Sequence, residues 1–186
     1  MRKRLVSILM CGLILFGLYG FGKNVVNEIE NENNQLKEEY GSVEEEKIDI
    51  LVAKFNTLVV DNSKLNPASE DYLTLSNGEY WYGLIDGIYL VVVPEKYTGD
   101  KTSEVVNYTL LYVKKDSKYI NDASSYIKYL IKANNSEITD NEIETLLEDV
   151  KTKTNSGETT NNGKGISIGY TESDDTYQYQ VLRLYK

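Results

Sequence analysis

Residues 5–21 form an unbroken apolar run from Leu5 to Phe21, which a soluble domain could not carry on its surface. A helix over these 17 residues spans roughly 25 Å, at the short end of what crosses a ~30 Å hydrocarbon core. Arg2, Lys3 and Arg4 precede the run and Lys23 closes it. With the cationic end held on the cytoplasmic side, everything after Lys23 is sent across the membrane. The segment at residues 1–22 therefore reads as a signal anchor or a signal peptide. Its apolar length exceeds the ~7–15 residues usual in a cleaved signal, while Gly20 and Gly22 offer small residues to a signal peptidase. The expected location is extracytoplasmic, anchored to the cell membrane through residues 5–21, the alternative being secretion after cleavage near Gly22. Cys11 follows Met10 inside the run, not after it as a lipid-modified cysteine would, and reads as a membrane-buried small hydrophobe.

Translocation makes the missing residue types informative. The chain has no histidine, and Cys11 is its one cysteine. That removes Ser-His-Asp and Cys-His nucleophilic machinery, histidine acid–base catalysis and the usual zinc sites. The outer portion has no disulfide, so its stability must come from an ordinary packed core. Neither catalytic residues nor metal ligands nor a cofactor motif can be recognised by spacing. The net charge is −9, of which residues 1–23 carry +4 and residues 24–50 carry −7. An acidic outer portion argues against nucleic acid, whose phosphates require a basic footprint.

Residues 23–41 read as an acidic helical stalk or linker. Val26, Ile29, Asn33, Leu36 and Tyr40 follow the 3-4-3-4 spacing of a coiled-coil seam, which gives a weak dimer through residues 26–40 as a candidate contact. Gly41 interrupts it, and Ser42 with Glu45 forms a capping-box pattern that predicts a new helix start. Ile48, Leu51, Val52, Phe55, Leu58 and Val59 recur at helical spacing and mark the folded domain, residues 42–186. Pro67 blocks continuation of this helix.

Three strands are predicted next, over residues 79–85, 88–93 and 105–113, the first two joined by a hairpin at Asp86-Gly87. Helical spacing returns over residues 119–134. Thr139 and Glu142 then form a capping box, with Ile138 and Ile143 placed as a hydrophobic staple. Residues 151–165 read as a mobile Thr/Asn/Gly loop, followed by strands over residues 166–171 and 176–185. Helix–loop–hairpin occurs twice, over residues 42–93 and 139–185. The expected fold class is α+β: a mainly antiparallel five-stranded sheet with helices on one face, preceded by an N-terminal membrane helix and a short helical stalk.

Lys54-Phe55-Asn56, the helix start at residues 136–143 (Ser-Glu-Ile-Thr-Asp-Asn-Glu-Ile) and the strand at residues 165–170 (Gly-Ile-Ser-Ile-Gly-Tyr) resemble a broad group of uncharacterised exported or membrane-anchored small α+β proteins of Gram-positive bacteria. The resemblance spans roughly residues 44–186 and implies export. It supplies no catalytic residues.

Among candidate sites, Glu79-Tyr80-Trp81-Tyr82-Gly83 is the most suggestive, and Tyr80, Trp81 and Tyr82 are the candidate ligand-binding residues. Strand periodicity places Tyr80 and Tyr82 on one face and Trp81 on the other, so one set faces the core. The exposed set could stack on sugar rings or anchor a protein partner. Tyr170, Tyr177 and Tyr179 are expected to form a cross-strand cluster. Asp61, Glu70, Asp71, Glu172, Asp174 and Asp175 fit no calcium-loop spacing and read as solvated turns. The functional expectation is a non-enzymatic exported module that binds a protein or cell-envelope partner. Its alternatives are a small cell-wall polysaccharide hydrolase using carboxylates, or a pilus or secretion-system component.

Overall fold

Apolar stripes on three helices and one face of an antiparallel sheet close over each other in the computed structural model, which describes residues 46–61, 64–152, 156–161 and 164–183. The membrane segment at residues 5–21, Cys11, the stalk at residues 23–41, its seam at residues 26–40 and the capping residues Ser42 and Glu45 lie outside the described residues. Among the described residues no helix is long and apolar enough to cross a membrane.

The first described helix, α1, is Ile48–Val60. It starts later than the capping-box pattern predicts, because Glu46 and Lys47 are recruited into strand-like pairing. Lys47 bridges Val105, the Val106 N–H donates to the Glu46 carbonyl at 2.9 Å, and the Ile48 N–H donates to the Glu104 carbonyl at 3.2 Å. A tertiary partner for the backbone overrides the local helix signal. Ile48, Leu51, Phe55 and Val59 are the buried stripe of α1.

Seven strands follow: β1 (Tyr72–Thr74), β2 (Tyr80–Ile85), β3 (Ile88–Pro94), β4 (Val106–Lys114), β5 (Ser156–Asn161), β6 (Ile166–Glu172) and β7 (Thr176–Arg183). They form one sheet in the order β1-β2-β3-β4-β7-β6-β5, with every neighbouring pair antiparallel. The predicted sheet is therefore right in class and two strands short. β1 is a three-residue edge strand exposed along its length. β5 occupies the segment expected to be a mobile loop, and its backbone pairs with β6 over its full length. Residues 86–87 turn β2 into β3 as expected, with Gly87 at φ 81°, where a Cβ would meet the Ser117 Cβ at 2.7 Å.

Between β4 and β5 lie α2 (Ala123–Asn134), entered through a single 3-10 turn at Ile120–Asp122, and α3 (Asp140–Lys151). α3 begins with the predicted capping box: the Glu142 N–H donates to the Thr139 hydroxyl, and the Thr139 N–H donates to Glu142 Oε2 at 2.8 Å. Ile138 and Ile143, the staple positions, are both buried. α2 lies across β4 and β7 at the centre of the sheet, α3 covers β5 and β6, and α1 packs beside α2. Their stripes share one core with Tyr80, Tyr82, Leu90, Val92, Leu111, Val113, Tyr179, Val181, Ile166 and Ile168. Cross-strand register puts these strand residues on a common face, so the described helices all pack on one side. Buried Asn134 ties α2 to that face, donating to the Thr109 hydroxyl at 3.2 Å and the Leu130 carbonyl at 2.8 Å.

Candidate functional site

Strand β2 separates the three candidate residues as a period of two requires. Tyr80 and Tyr82 point to the helix side and are almost fully buried, while half-buried Trp81 points to the opposite face. The structure thus builds two different aromatic clusters from Tyr80-Trp81-Tyr82.

On the face away from the described helices, Trp81 meets Tyr89 from β3 and Tyr112 from β4. Ring centroids are 5.9 Å apart for Trp81–Tyr89, 5.2 Å for Trp81–Tyr112 and 6.2 Å for Tyr89–Tyr112, each pair tilted near 60°. Val91 and Leu110 share this face by register and are buried, yet stand apart from the main core. The Trp81 indole N–H donates to Glu79 Oε2 at 2.9 Å. Burial, with the same Glu79 charge nearby, pushes the Tyr108 phenol up to about 12. The face combines aromatic area with a fixed carboxylate.

On the helix side, the Tyr72 ring from β1 lies over both inward tyrosines, 5.5 Å from Tyr80 and 5.4 Å from Tyr82. Tyr97 adds a fourth ring 6.0 Å from Tyr80. It is held by the β1–β2 turn, where a Cβ on Gly78 (φ +87°) would meet the Tyr97 Cβ at 2.7 Å. Lys101 places its ammonium 4.4 Å over the Tyr72 ring.

Beneath these rings lies Glu104. Its Oε1 accepts from the Thr98 N–H, from the Thr98 hydroxyl at 3.0 Å and from the Gly99 N–H at 2.8 Å. Burial alone would push this carboxyl up; the donors around it outweigh burial, and its pKa is lowered. The hydroxyl of Tyr82 is buried without a hydrogen-bond partner. The Tyr80 hydroxyl lies against the Glu104 carboxylate and is among the donors that lower it. Burial, and after it the hydrogen bond to Glu104 and that group's charge, raises the Tyr80 phenol. Burial also raises that of Tyr82, with Tyr72, Asp49 and Glu104 adding to it.

Tyr170, Tyr177 and Tyr179 form the expected cross-strand cluster, with centroids 5.0–6.1 Å apart. The Tyr170 hydroxyl donates to Glu172 Oε2 at 2.8 Å, and Lys115 pairs with Glu172 Oε1 at 2.7 Å. The turn carboxylates Asp61, Glu70, Asp71, Asp174 and Asp175 stay exposed, and among the described residues no group of three or more acids, cysteines or histidines could hold a metal.

Sequence reading missed Tyr72, Tyr89, Tyr97, Glu104 and Tyr112. Tyr89 and Tyr112 were within reach: the Asp86-Gly87 hairpin sets Gly83 opposite Tyr89, and β4 then sets Tyr112 opposite Tyr89. Glu104 carries no local signal, since its role comes from the loop that folds back onto it. No family model, curated protein or solved structure matches this chain.

Proposed function

We propose that the chain is a non-enzymatic, extracytoplasmic binding module, held at the membrane through residues 5–21, that engages a protein or cell-envelope partner through the second face of its sheet. The observation that carries this reading is the gathering of Trp81, Tyr89 and Tyr112 on the face that no described helix covers. Tryptophan and tyrosine supply large contact area at small entropic cost, and they dominate the energetics of binding surfaces. Glu79, fixed by the indole N–H, gives the same surface a polar contact for orientation. The acidic outer composition and the resemblance to exported α+β proteins of Gram-positive bacteria support the same reading.

The test is mild crosslinking on intact cells carrying the full chain, comparing wild type with Trp81→Ala. A protein or wall polymer should be recovered with wild type and lost with the variant, both chains being equally abundant. Recovery of the bare monomer alone, or of the same species with both chains, would refute the proposal.

A further inference from the structure

The two edges of the sheet differ in character. β5 contains no apolar residue, whereas β1 carries Leu73, which at 72% exposure is the most open large apolar side chain among the described residues. Tyr72 and Leu75 beside it are 38% and 42% exposed. Hydrogen bonds on either side of β1 fix which way its backbone groups point. The Ser69 N–H donates to the Gly83 carbonyl and the Leu75 N–H to the Glu79 carbonyl, both at 3.0 Å, and Leu73 stands opposite Trp81. Odd-numbered residues therefore turn their N–H and C=O groups toward β2, while Tyr72 and Thr74 turn theirs to the free edge. Natural sheets blunt such an edge with a charged side chain, a proline or a bulge, and β1, though short, has none of these. Its flanks are acidic: Glu70 and Asp71 are exposed just before it, and Glu79 stands opposite Leu75 just after it. Lys101 beside β1 is turned onto the Tyr72 ring, 4.4 Å from its centroid.

We propose that the free edge of β1 is a docking site for an extended segment of a basic polypeptide, which adds to the sheet as an eighth strand. Backbone supplies the affinity: the outward N–H and C=O groups of Tyr72 and Thr74 offer two donors and two acceptors to an incoming strand. Side chains supply the selectivity. An apolar residue set against Leu73 covers that exposed side chain, and the residues two positions to either side fall opposite Asp71 and Leu75, the latter beside Glu79. Basic side chains at those two positions meet an acid at each end, so the matching pattern is basic-x-apolar-x-basic. The acidic balance of the chain beyond residue 23 steers such a segment inward. A second copy of this chain fits less well. Pairing β1 antiparallel to itself about Leu73 sets Asp71 of each copy opposite Leu75 of the other, beside Glu79, where the charges repel. The site uses the backbone edge of β1 and stands independently of the Trp81 face.

The experiment is an amide-shift titration of the full chain in uncharged detergent micelles, following Tyr72, Leu73 and Thr74, with the peptide acetyl-Lys-Thr-Val-Thr-Lys-amide. It should give saturable shifts that weaken as salt is raised. The acidic counterpart, with glutamate in place of both lysines, should give none. The peptide's threonines turn their N–H groups to β1, so replacing both with proline should abolish binding without altering the protein. Thr74→Pro removes one outward N–H and leaves the ladder to β2 intact, as an edge position allows. It should weaken binding by about tenfold, the effect of losing one hydrogen bond. Asp71→Asn should weaken it by about threefold. Equal binding of the acidic or the proline peptide, no saturation with the basic one, or unchanged affinity in Thr74→Pro or Asp71→Asn would overturn the proposal. Shifts at the same amides on raising protein concentration alone would mark a second copy at this edge and would also overturn it. The proline peptide keeps the test decisive even if Thr74→Pro unfolds β1.

Discussion

Two buried tyrosines should respond to the same substitution with opposite signs. The Tyr82 hydroxyl is enclosed, at 2% exposure, without a hydrogen-bond partner. Burying an unpaired hydroxyl costs about 1–3 kcal/mol in proteins, and replacing it with hydrogen keeps the ring and its packing. Tyr82→Phe should therefore stabilise the domain, by about 1 kcal/mol since Tyr72 beside it is partly open to water. Tyr126 is equally buried, but its hydroxyl donates to the Asn66 carbonyl at 3.1 Å and accepts from the Asn66 N–H at 3.0 Å. Tyr126→Phe removes both bonds and should destabilise by about 1–2 kcal/mol. For a chain of this length each 1 kcal/mol moves the melting temperature by roughly 2–4 °C, so the variants should separate on either side of wild type. The assay is thermal and urea unfolding of the three full chains in one detergent. A destabilised Tyr82→Phe would refute the reasoning, because its hydroxyl would then have a partner worth more than its burial costs.

Thr139→Ala should lower stability by about 1 kcal/mol through loss of the α3 N-cap, with Thr139→Ser restoring most of it in thermal unfolding. No change in Thr139→Ala would mean that the cap does not form. Acid should weaken the fold through Glu104. Its folded pKa lies below its ordinary value of 4.5, so its contribution is complete above that value and is lost as pH falls through the folded one. The stability difference between wild type and Glu104→Gln, measured by urea unfolding, should therefore shrink between about pH 6 and about pH 3. A difference that stays constant over that range would contradict the assignment.

The parts of the fold legible in sequence are those where a side-chain period reports burial. The stripes of Ile48, Leu51, Phe55 and Val59 and of Ile143, Leu146, Leu147 and Val150 name their helices directly. β5 carries no such period: Ser156, Gly157, Glu158, Thr159, Thr160 and Asn161 contain no apolar residue. It is a strand because the free edge of β6 offers unpaired backbone groups, a fact held in another segment of the chain. β1 escaped for a related reason, since three exposed residues are too short a run to show alternation. The start of α1 was misplaced because Ser42 and Glu45 are a local signal, while Lys47 answers to Val105, 58 positions along the sequence. The aromatic candidates divide in the same way. The split between Trp81 and its neighbours follows from strand periodicity, but the Tyr72, Tyr97 and Glu104 partners depend on an edge strand and a loop.

The polar ties of the domain concentrate where its described chain begins, and this bears on how a domain without disulfides closes. Glu46 Oε2 accepts from Lys54 of α1 at 2.9 Å and from Arg183 at the end of β7 at 3.0 Å. One carboxylate thus joins the first and last described elements. The adjoining backbone, through Lys47 and Ile48, pairs with Val105 and Glu104, and Glu104 in turn fixes the loop that carries Tyr97. With Lys54 half exposed and Arg183 partly so, these ion pairs add little net stability. Their contribution is therefore to register: they set the segment before α1 against the end of β7, beside the loop that leads into β4.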